Sequence, residues 1–278
     1  MDDDRIHRAI SDDGTEIAAR VQGEGPPLVC LHAGLGDGEV DWQAAVPWLR
    51  DRFTCHLMSY RGRGLSASNP DRSPNRLVQD VVAYAESLGG PVGLVGPSGG
   101  GMFVLAAAAR TSVVSAVAVY EPIVFEVLSE DEGAGFQRAL EHMAGLSGEG
   151  RLVEAARDWI GFFAADHEMV ALSASGYFEE SAPYVPVLLE EIEHALASKE
   201  PGPTDPSILS EIAAPVLILQ GSRSTLDWYR DGVRHVADHV PETTVRELPG
   251  SGHFGVWVEP RKVAHELTRF FQAVPAFT

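Results

Sequence analysis

The sequence predicts an α/β fold, a mostly parallel central sheet with helices on both faces and a helical insertion, on three observations. Short apolar runs of strand length alternate with helical patterns as far as Tyr120, the order that builds a parallel sheet. The stretch Leu94-Val95-Gly96-Pro97-Ser98-Gly99-Gly100-Gly101-Met102 passes directly from an apolar run into an alanine-rich helical run over residues 102–110. A serine therefore sits on a sharp strand-to-helix turn of the Gly-x-Ser-x-Gly type, flanked by glycines where a side chain would clash. The alternation stops over residues 123–206, where glutamate-rich helical segments take over, and resumes at Pro215. The expected organisation is a core of residues 1–122 and 207–278 and a helical cap of residues 123–206.

In chain order, residues 5–22 alternate polar and apolar around Asp12-Asp13-Gly14, an antiparallel hairpin at a sheet edge. Residues 28–31 are wholly apolar, as a doubly covered parallel strand is, and empty into His32-Ala33-Gly34-Leu35-Gly36-Asp37-Gly38. That loop follows the carboxyl end of a strand, where open α/β sheets place their ligands. A short helix is expected over 41–49, a strand over 53–58 and a turn at Tyr60-Arg61-Gly62-Arg63-Gly64-Leu65-Ser66. Ser73-Pro74 reads as an N-cap and first turn, opening a helix whose apolar stripe is Leu77, Val78, Val81, Val82, Ala85 and Leu88. Strands follow at 93–95, entering the serine turn, and at 113–120, ending in Glu121-Pro122. After the helical segment, Pro201-Gly202-Pro203-Thr204-Asp205-Pro206 reads as a linker. A strand at 215–220, a helix near 228–238, a strand at 243–248, the loop Pro249-Gly250-Ser251-Gly252-His253-Phe254 and a helix over 260–272 complete the chain.

A chain of 278 residues has the length to bury a large core. Its net charge of -19 disfavours nucleic acid and anionic lipid as partners and suits a small neutral or apolar one. No apolar run approaches the roughly 20 residues of a membrane span, and Met1-Asp2-Asp3-Asp4-Arg5 lacks a charged-then-apolar signal, so a cytoplasmic location is expected. Cys30 and Cys55 fall in apolar strand-like runs and are expected to be buried free thiols. No cluster has metal-ligand spacing and no loop cradles phosphate, so neither a metal nor a cofactor is implied. Among partners, a homodimer stands beside a small apolar ester or lactone substrate as an expectation.

The His32-Ala33-Gly34 loop, Arg61-Gly62-Arg63-Gly64-Leu65-Ser66, the serine turn and Gly252-His253, in that order, resemble the α/β-hydrolase superfamily over nearly the whole chain. The resemblance implies Ser98 as nucleophile, His253 as general base, and the amides of Gly34 and Gly99 as the oxyanion hole. Physical chemistry asks for the same parts, because a serine hydroxyl attacks only when an imidazole accepts its proton and the oxyanion needs preformed donors. The usual acid position, in a Gly-x-x-Asp turn after the penultimate strand, is here Gly221-Ser222-Arg223-Ser224. Two carboxylates can stand in. Asp227 lies three residues on, at a point that also suits a helix start. Glu121 is preferred, since parallel strand ends converge on one edge and a glutamate has the extra methylene to reach His253.

Glutamate at this strand end, Ala33-Gly34-Leu35-Gly36-Asp37 and His253-Phe254 are together similar to the lactone hydrolases that open the macrocyclic mycotoxin zearalenone, which use a Ser-His-Glu triad under a helical cap. The chain departs from them at His32. What this resemblance implies is hydrolysis of an apolar ester or lactone. The other readings are a carboxylesterase, a carbon–carbon bond hydrolase or a perhydrolase, and, outside enzymes, a ligand-binding protein on the same fold. Leu35, Met102, Phe125, Trp159 and Phe254 are candidate substrate contacts. A helical tryptophan such as Trp159 is as readily a core residue, and Arg61 and Arg63 read as structural members of their turn.

Overall fold

Alternation along the strands decides which helix packs on which face. In the computed structural model, which describes residues 5–277, Val29 and Leu31 point into one apolar layer and their neighbours Leu28 and Cys30 into the other. The N-terminal Met1 to Asp4, read above as lacking a signal, lies outside the described residues. The strands are β1 (Arg5–Ile10), β2 (Glu16–Gln22), β3 (Pro27–Leu31), β4 (Thr54–Met58), β5 (Val92–Pro97), β6 (Val114–Tyr120), β7 (Val216–Gly221) and β8 (Thr243–Leu248). They form one eight-stranded sheet in the order β1-β2-β4-β3-β5-β6-β7-β8. Both pairings of β2 are antiparallel and all the others are parallel. The expected edge hairpin is the β1–β2 pair.

The helices are α1 (Gly38–Trp42), α2 (Pro74–Ser87), α3 (Ser98–Ala108), α4 (Glu130–Gly148), α5 (Leu152–Phe163), α6 (Asp166–Ser175), α7 (Tyr177–Ser181), α8 (Val185–Ala197), α9 (Pro206–Leu209), α10 (Asp227–His239), α11 (Gly255–Val258) and α12 (Pro260–Phe271). Leu77, Val81 and Tyr84 of α2, Val104 and Leu105 of α3, and Val233 and Val236 of α10 fill the layer on one face of the sheet. Trp42 of α1 and Val263, Leu267 and Phe271 of α12 fill the other. Cys30 and Cys55 are buried free thiols in that second layer.

Three local readings change. The helix after the serine turn begins at Ser98 itself, with Pro97 at its N-cap, because the glycines there adopt helical backbone at once rather than forming a spacer. The helix expected over 41–49 splits into α1 and a separate 3-10 turn, Val46–Trp48, whose Pro47 cannot continue the α-helical hydrogen bonds of α1. Ser73 occupies the N-cap of α2 without capping through its side chain; instead its amide donates to Asp71 Oδ1 at 3.1 Å.

Between β6 and β7 the chain runs through α4 to α8, whose apolar faces close on a third cluster that includes Met143, Trp159, Phe163, Phe178 and Val185. That cluster also takes in Leu35, Trp228, Tyr229 and Phe254 from the loops and helix at the sheet edge. The helical insertion thus buries its apolar side over the carboxyl ends of the strands. No described helix is long and apolar enough to cross a membrane.

Candidate active site

Register brings the pieces together. Pro97 pairs with Tyr120 and Tyr120 with Leu219, so the residues that follow, Ser98 and Glu121, emerge side by side. The Ile123 amide donates to the Ser98 carbonyl at 3.2 Å and the Glu121 amide to the Leu219 carbonyl at 2.9 Å. Ser98 has φ 51° and Glu121 φ 41°, the only non-glycine residues in the left-handed region among the described residues. Such backbone costs of order 1–3 kcal/mol and persists only where the surroundings dictate it. At Ser98 the cause is close approach: a Cβ on Gly96 would lie 2.6 Å from the Gly100 backbone, and one on Gly100 would lie 2.3 Å from the His32 carbonyl oxygen.

His253 lies in the loop after β8. Its Nε2 is 3.0 Å from Ser98 Oγ and its Nδ1 is 2.9 Å from Glu121 Oε2. Ser98, His253 and Glu121 are therefore joined in one hydrogen-bonded chain, with His253 and Glu121 almost fully buried. With Nδ1–H donating to the carboxylate, Nε2 is left as the acceptor for the serine proton. Asp227, the alternative acid, is exposed at the start of α10 and paired with Arg230 at 2.9 Å. It is no part of this chain.

The His253 loop is held on both sides. Tyr120 Oη donates to the Gly252 carbonyl at 2.6 Å, and the Phe254 amide donates to Glu168 Oε1 at 2.7 Å. Glu168, fully buried on α6, also accepts from the Ala165 amide at 3.0 Å. Tyr229 stacks on the imidazole with ring centroids 4.1 Å apart and planes 12° apart, and its hydroxyl donates to the Phe163 carbonyl at 3.0 Å. Burial, and then the carboxylates of Glu121, Glu168 and Glu132, push the Tyr229 phenol well up, so it stays neutral.

Across from Ser98, the loop after β3 presents Gly34, whose amide nitrogen would be 3.4 Å from a Cβ on Gly99. The Gly99 amide stands in the first turn of α3, where no intrahelical acceptor exists. The Gly34 amide nitrogen thus lies close to the Gly99 backbone. Buried polar groups fix this loop. His32 Nδ1–H donates to the Ala33 carbonyl at 2.7 Å while its Nε2 accepts from the Tyr60 amide at 3.1 Å. Burial, with the nearby Arg63 charge, pushes this imidazole well down and keeps it neutral. Arg63 donates to the Gly34 and Gly36 carbonyls at 2.8 and 3.0 Å and is paired with Glu191 of α8. Arg61 is likewise buried, against Asp80 and Asp13, so both arginines are structural.

Asp41 accepts from the Ala33 amide at 2.7 Å, and burial raises its carboxyl well above the usual range. Tyr177 Oη meets both the Leu35 carbonyl, at 2.9 Å, and Asp41 Oδ1, at 3.1 Å. Both contacts are donations from the Tyr177 hydroxyl, which ties the Leu35 backbone and the Asp41 carboxyl to one group on the insertion.

A cavity of about 430 Å³ opens from Ser98 and His253 into the cluster beneath the insertion. All five candidate contact residues, Leu35, Met102, Phe125, Trp159 and Phe254, line it. Trp159 is both core and wall: it is buried, and its ring packs edge-on against Phe136 and Phe163. Phe125 is the exposed member, against Phe136 and Trp228. Phe136, Phe163, Tyr177 and Trp228 complete an aromatic lining. Tyr229 and Glu168 escape sequence reasoning because nothing in a helical segment says which residue meets a loop formed far along the chain. Ser224 reads as a lost acid, yet its hydroxyl donates to Glu121 Oε1 at 2.6 Å.

The family profile described as "Alpha/beta hydrolase family" matches residues 28–266. The chain belongs to the α/β-hydrolase family. Its fold is that of an α/β-hydrolase from Sphaerobacter thermophilus DSM 20745, with 25% identity and a TM-score of 0.72 over 95% of this chain and 100% of that one. The esterase RhEst1 from Rhodococcus sp. ECU1013 is 21% identical with a TM-score of 0.77, covering 97% and 99% of the two chains. A bromoperoxidase from Bacillus anthracis is 20% identical with a TM-score of 0.78, covering 96% and 100%. No curated protein sequence matches the chain.

Proposed function

We propose that this α/β-hydrolase cleaves an uncharged ester, with a lactone of zearalenone type as the favoured substrate. The observation that carries the reading is the Ser98–His253–Glu121 chain of hydrogen bonds, at 3.0 and 2.9 Å, opening onto an aromatic cavity. His253 Nε2 takes the Ser98 proton as Oγ attacks the carbonyl carbon, and the Gly34 and Gly99 amides hold the resulting oxyanion. The C–O bond then breaks, His253 returns the proton to the leaving alkoxide, and the acyl group remains on Ser98. With a lactone that alkoxide stays tethered to the acyl group. Water, deprotonated by the same imidazole, adds to the acyl carbon, and the hydroxy acid leaves as Ser98 recovers its proton. Glu121 holds the imidazole tautomer and balances the imidazolium.

The cavity favours a neutral substrate. Of the charged side chains on its wall, which also include Glu200, Arg72 is paired with Glu190 and Glu191 with Arg63, while Arg110 donates to the neutral Asn75 amide oxygen. An anionic substrate, as a dienoate cleaved at carbon–carbon would be, finds Arg72 already paired, and the apolar and aromatic lining around Ser98 would desolvate its charge. Its volume falls in the roughly 300–1,000 Å³ range of small-molecule sites.

The test is a panel of macrocyclic lactones including zearalenone, small lactones, linear aryl esters and carboxylated analogues, assayed with wild type and Ser98→Ala. The macrocyclic lactones should give the highest kcat/KM, and Ser98→Ala should lose at least about 10⁴-fold. A linear aryl ester ranking first would make the protein a carboxylesterase. Absence of stoichiometric fluorophosphonate labelling of Ser98, with tight ligand binding and no product burst, would favour the ligand-binding reading.

A further inference from the structure

We propose that Ser224 is a positioning residue for the relay: its hydroxyl, with the Gly221 amide, pins Glu121 Oε1 so that Oε2 alone faces His253. The proposal rests on the triad reading above. Ser224 occupies the turn after β7 where the family pattern expects the acid itself. It donates to Glu121 Oε1 at 2.6 Å and the Gly221 amide donates to the same oxygen at 2.7 Å, while Oε2 meets His253 Nδ1 at 2.9 Å.

Glu121 is fully buried, so each lone pair left unmet there would carry a desolvation cost. All three neighbours donate, which is the arrangement that an ionised carboxylate accepts and a neutral acid cannot match. The bond is not a local turn feature, since the two residues are 103 positions apart and leave different strands. Its placement is tight: a Cβ on Gly221 would lie 2.8 Å from Ser224 Oγ.

The need for such a partner follows from the choice of glutamate. A glutamate carries one methylene more than an aspartate, and that methylene adds a rotatable bond. Left unrestrained, the carboxylate would sample positions away from the imidazole, and misplacement of about 1 Å costs a relay of this kind on the order of 10²-fold. Two donors on Oε1 remove that freedom. The turn after β7 therefore keeps a role in the relay, as donor in place of acid.

Ser224→Ala and Ser224→Thr, compared with wild type and Glu121→Gln on a neutral aryl ester, test this. Ser224→Ala should lower kcat by about 10- to 100-fold. KM should stay within about twofold, because Ser224 does not line the cavity. Ser224→Thr keeps the hydroxyl and should stay within about threefold of wild type. The downfield proton resonance of His253 Nδ1–H on Glu121 should broaden or move upfield in Ser224→Ala and persist in Ser224→Thr. Wild-type kcat and an unchanged resonance in Ser224→Ala would overturn the proposal. So would a threonine variant as impaired as the alanine one at an unchanged melting temperature. Full turnover in Glu121→Gln would instead remove the triad reading beneath it, whereas an inactive Glu121→Gln beside a fully active Ser224→Ala removes only the role of Ser224.

Discussion

Two residues carry backbone strain, Ser98 and Glu121, and they are the two that His253 bridges. Each leaves a parallel strand and turns at once, which presents the side chain at the sheet edge instead of burying it between layers. At Glu121 the charge matters as much as the position. A glutamine there keeps the shape but cannot balance an imidazolium, and its amide NH₂ would confront the donors that now meet the carboxylate. Glu121→Gln should therefore lower kcat by roughly 10⁴-fold, the scale on which a lost triad acid acts. Asp227→Asn, which alters only an exposed pair with Arg230, should stay within about twofold. Steady-state kinetics of both variants on one ester check the assignment.

The helices of the insertion reach down to the loops around Ser98 through buried polar contacts as well as apolar ones. Glu191 of α8 meets Arg63, which holds the Gly34 and Gly36 carbonyls; Tyr177 of α7 meets Leu35; and Glu168 of α6 meets the amide next to His253. Glu168 accepts two amide bonds with two oxygens, and a glutamine offers one oxygen and an opposing NH₂. Glu168→Gln should cost about 1–3 kcal/mol, read as a fall in Tm of roughly 2–4 °C per kcal/mol. It should also lower kcat, because the freed amide follows His253 directly. Glu130→Gln, at an exposed position in the first turn of α4, should leave both unchanged. Thermal unfolding with parallel kinetics separates the two variants.

At the scale of the whole molecule, acid acts through histidines buried neutral in the sheet. His56 of β4 is pushed down to about 4, by burial first and then by repulsion from His7 and Arg5. The unfolded chain, with an ordinary value near 6.5, takes up that proton before the folded protein does. The stability it represents is full above pH 6.5 and is lost as pH falls towards 4. The difference amounts to about 3 kcal/mol. His56→Gln should therefore flatten the decline of unfolding free energy between pH 7 and pH 4, measured by urea titration at several pH values, even though it lowers stability at pH 7. His32, driven in the same direction, adds to the acid sensitivity of the loop bearing Gly34.

The eight strands, their order of appearance, the helical insertion and the serine turn were legible because each is a local pattern: an apolar run, a glycine cluster, a change of period. Ser98, His253 and Gly34 were legible by position, as residues leaving strand ends. Glu121 was preferable to Asp227 on the same ground, as the residue leaving a strand end, but its distance to the imidazole is set only by the register of β6 against β5 and β7. The same holds for Ser224, Glu168 and Tyr229, whose partners lie 103, 86 and 24 residues away. A sequence determines where side chains leave strands and which faces are apolar, because those depend on neighbours along the chain. Which distant donor meets which buried acceptor is decided only when the layers close and water is excluded, since only then does an unmet polar group carry its full cost.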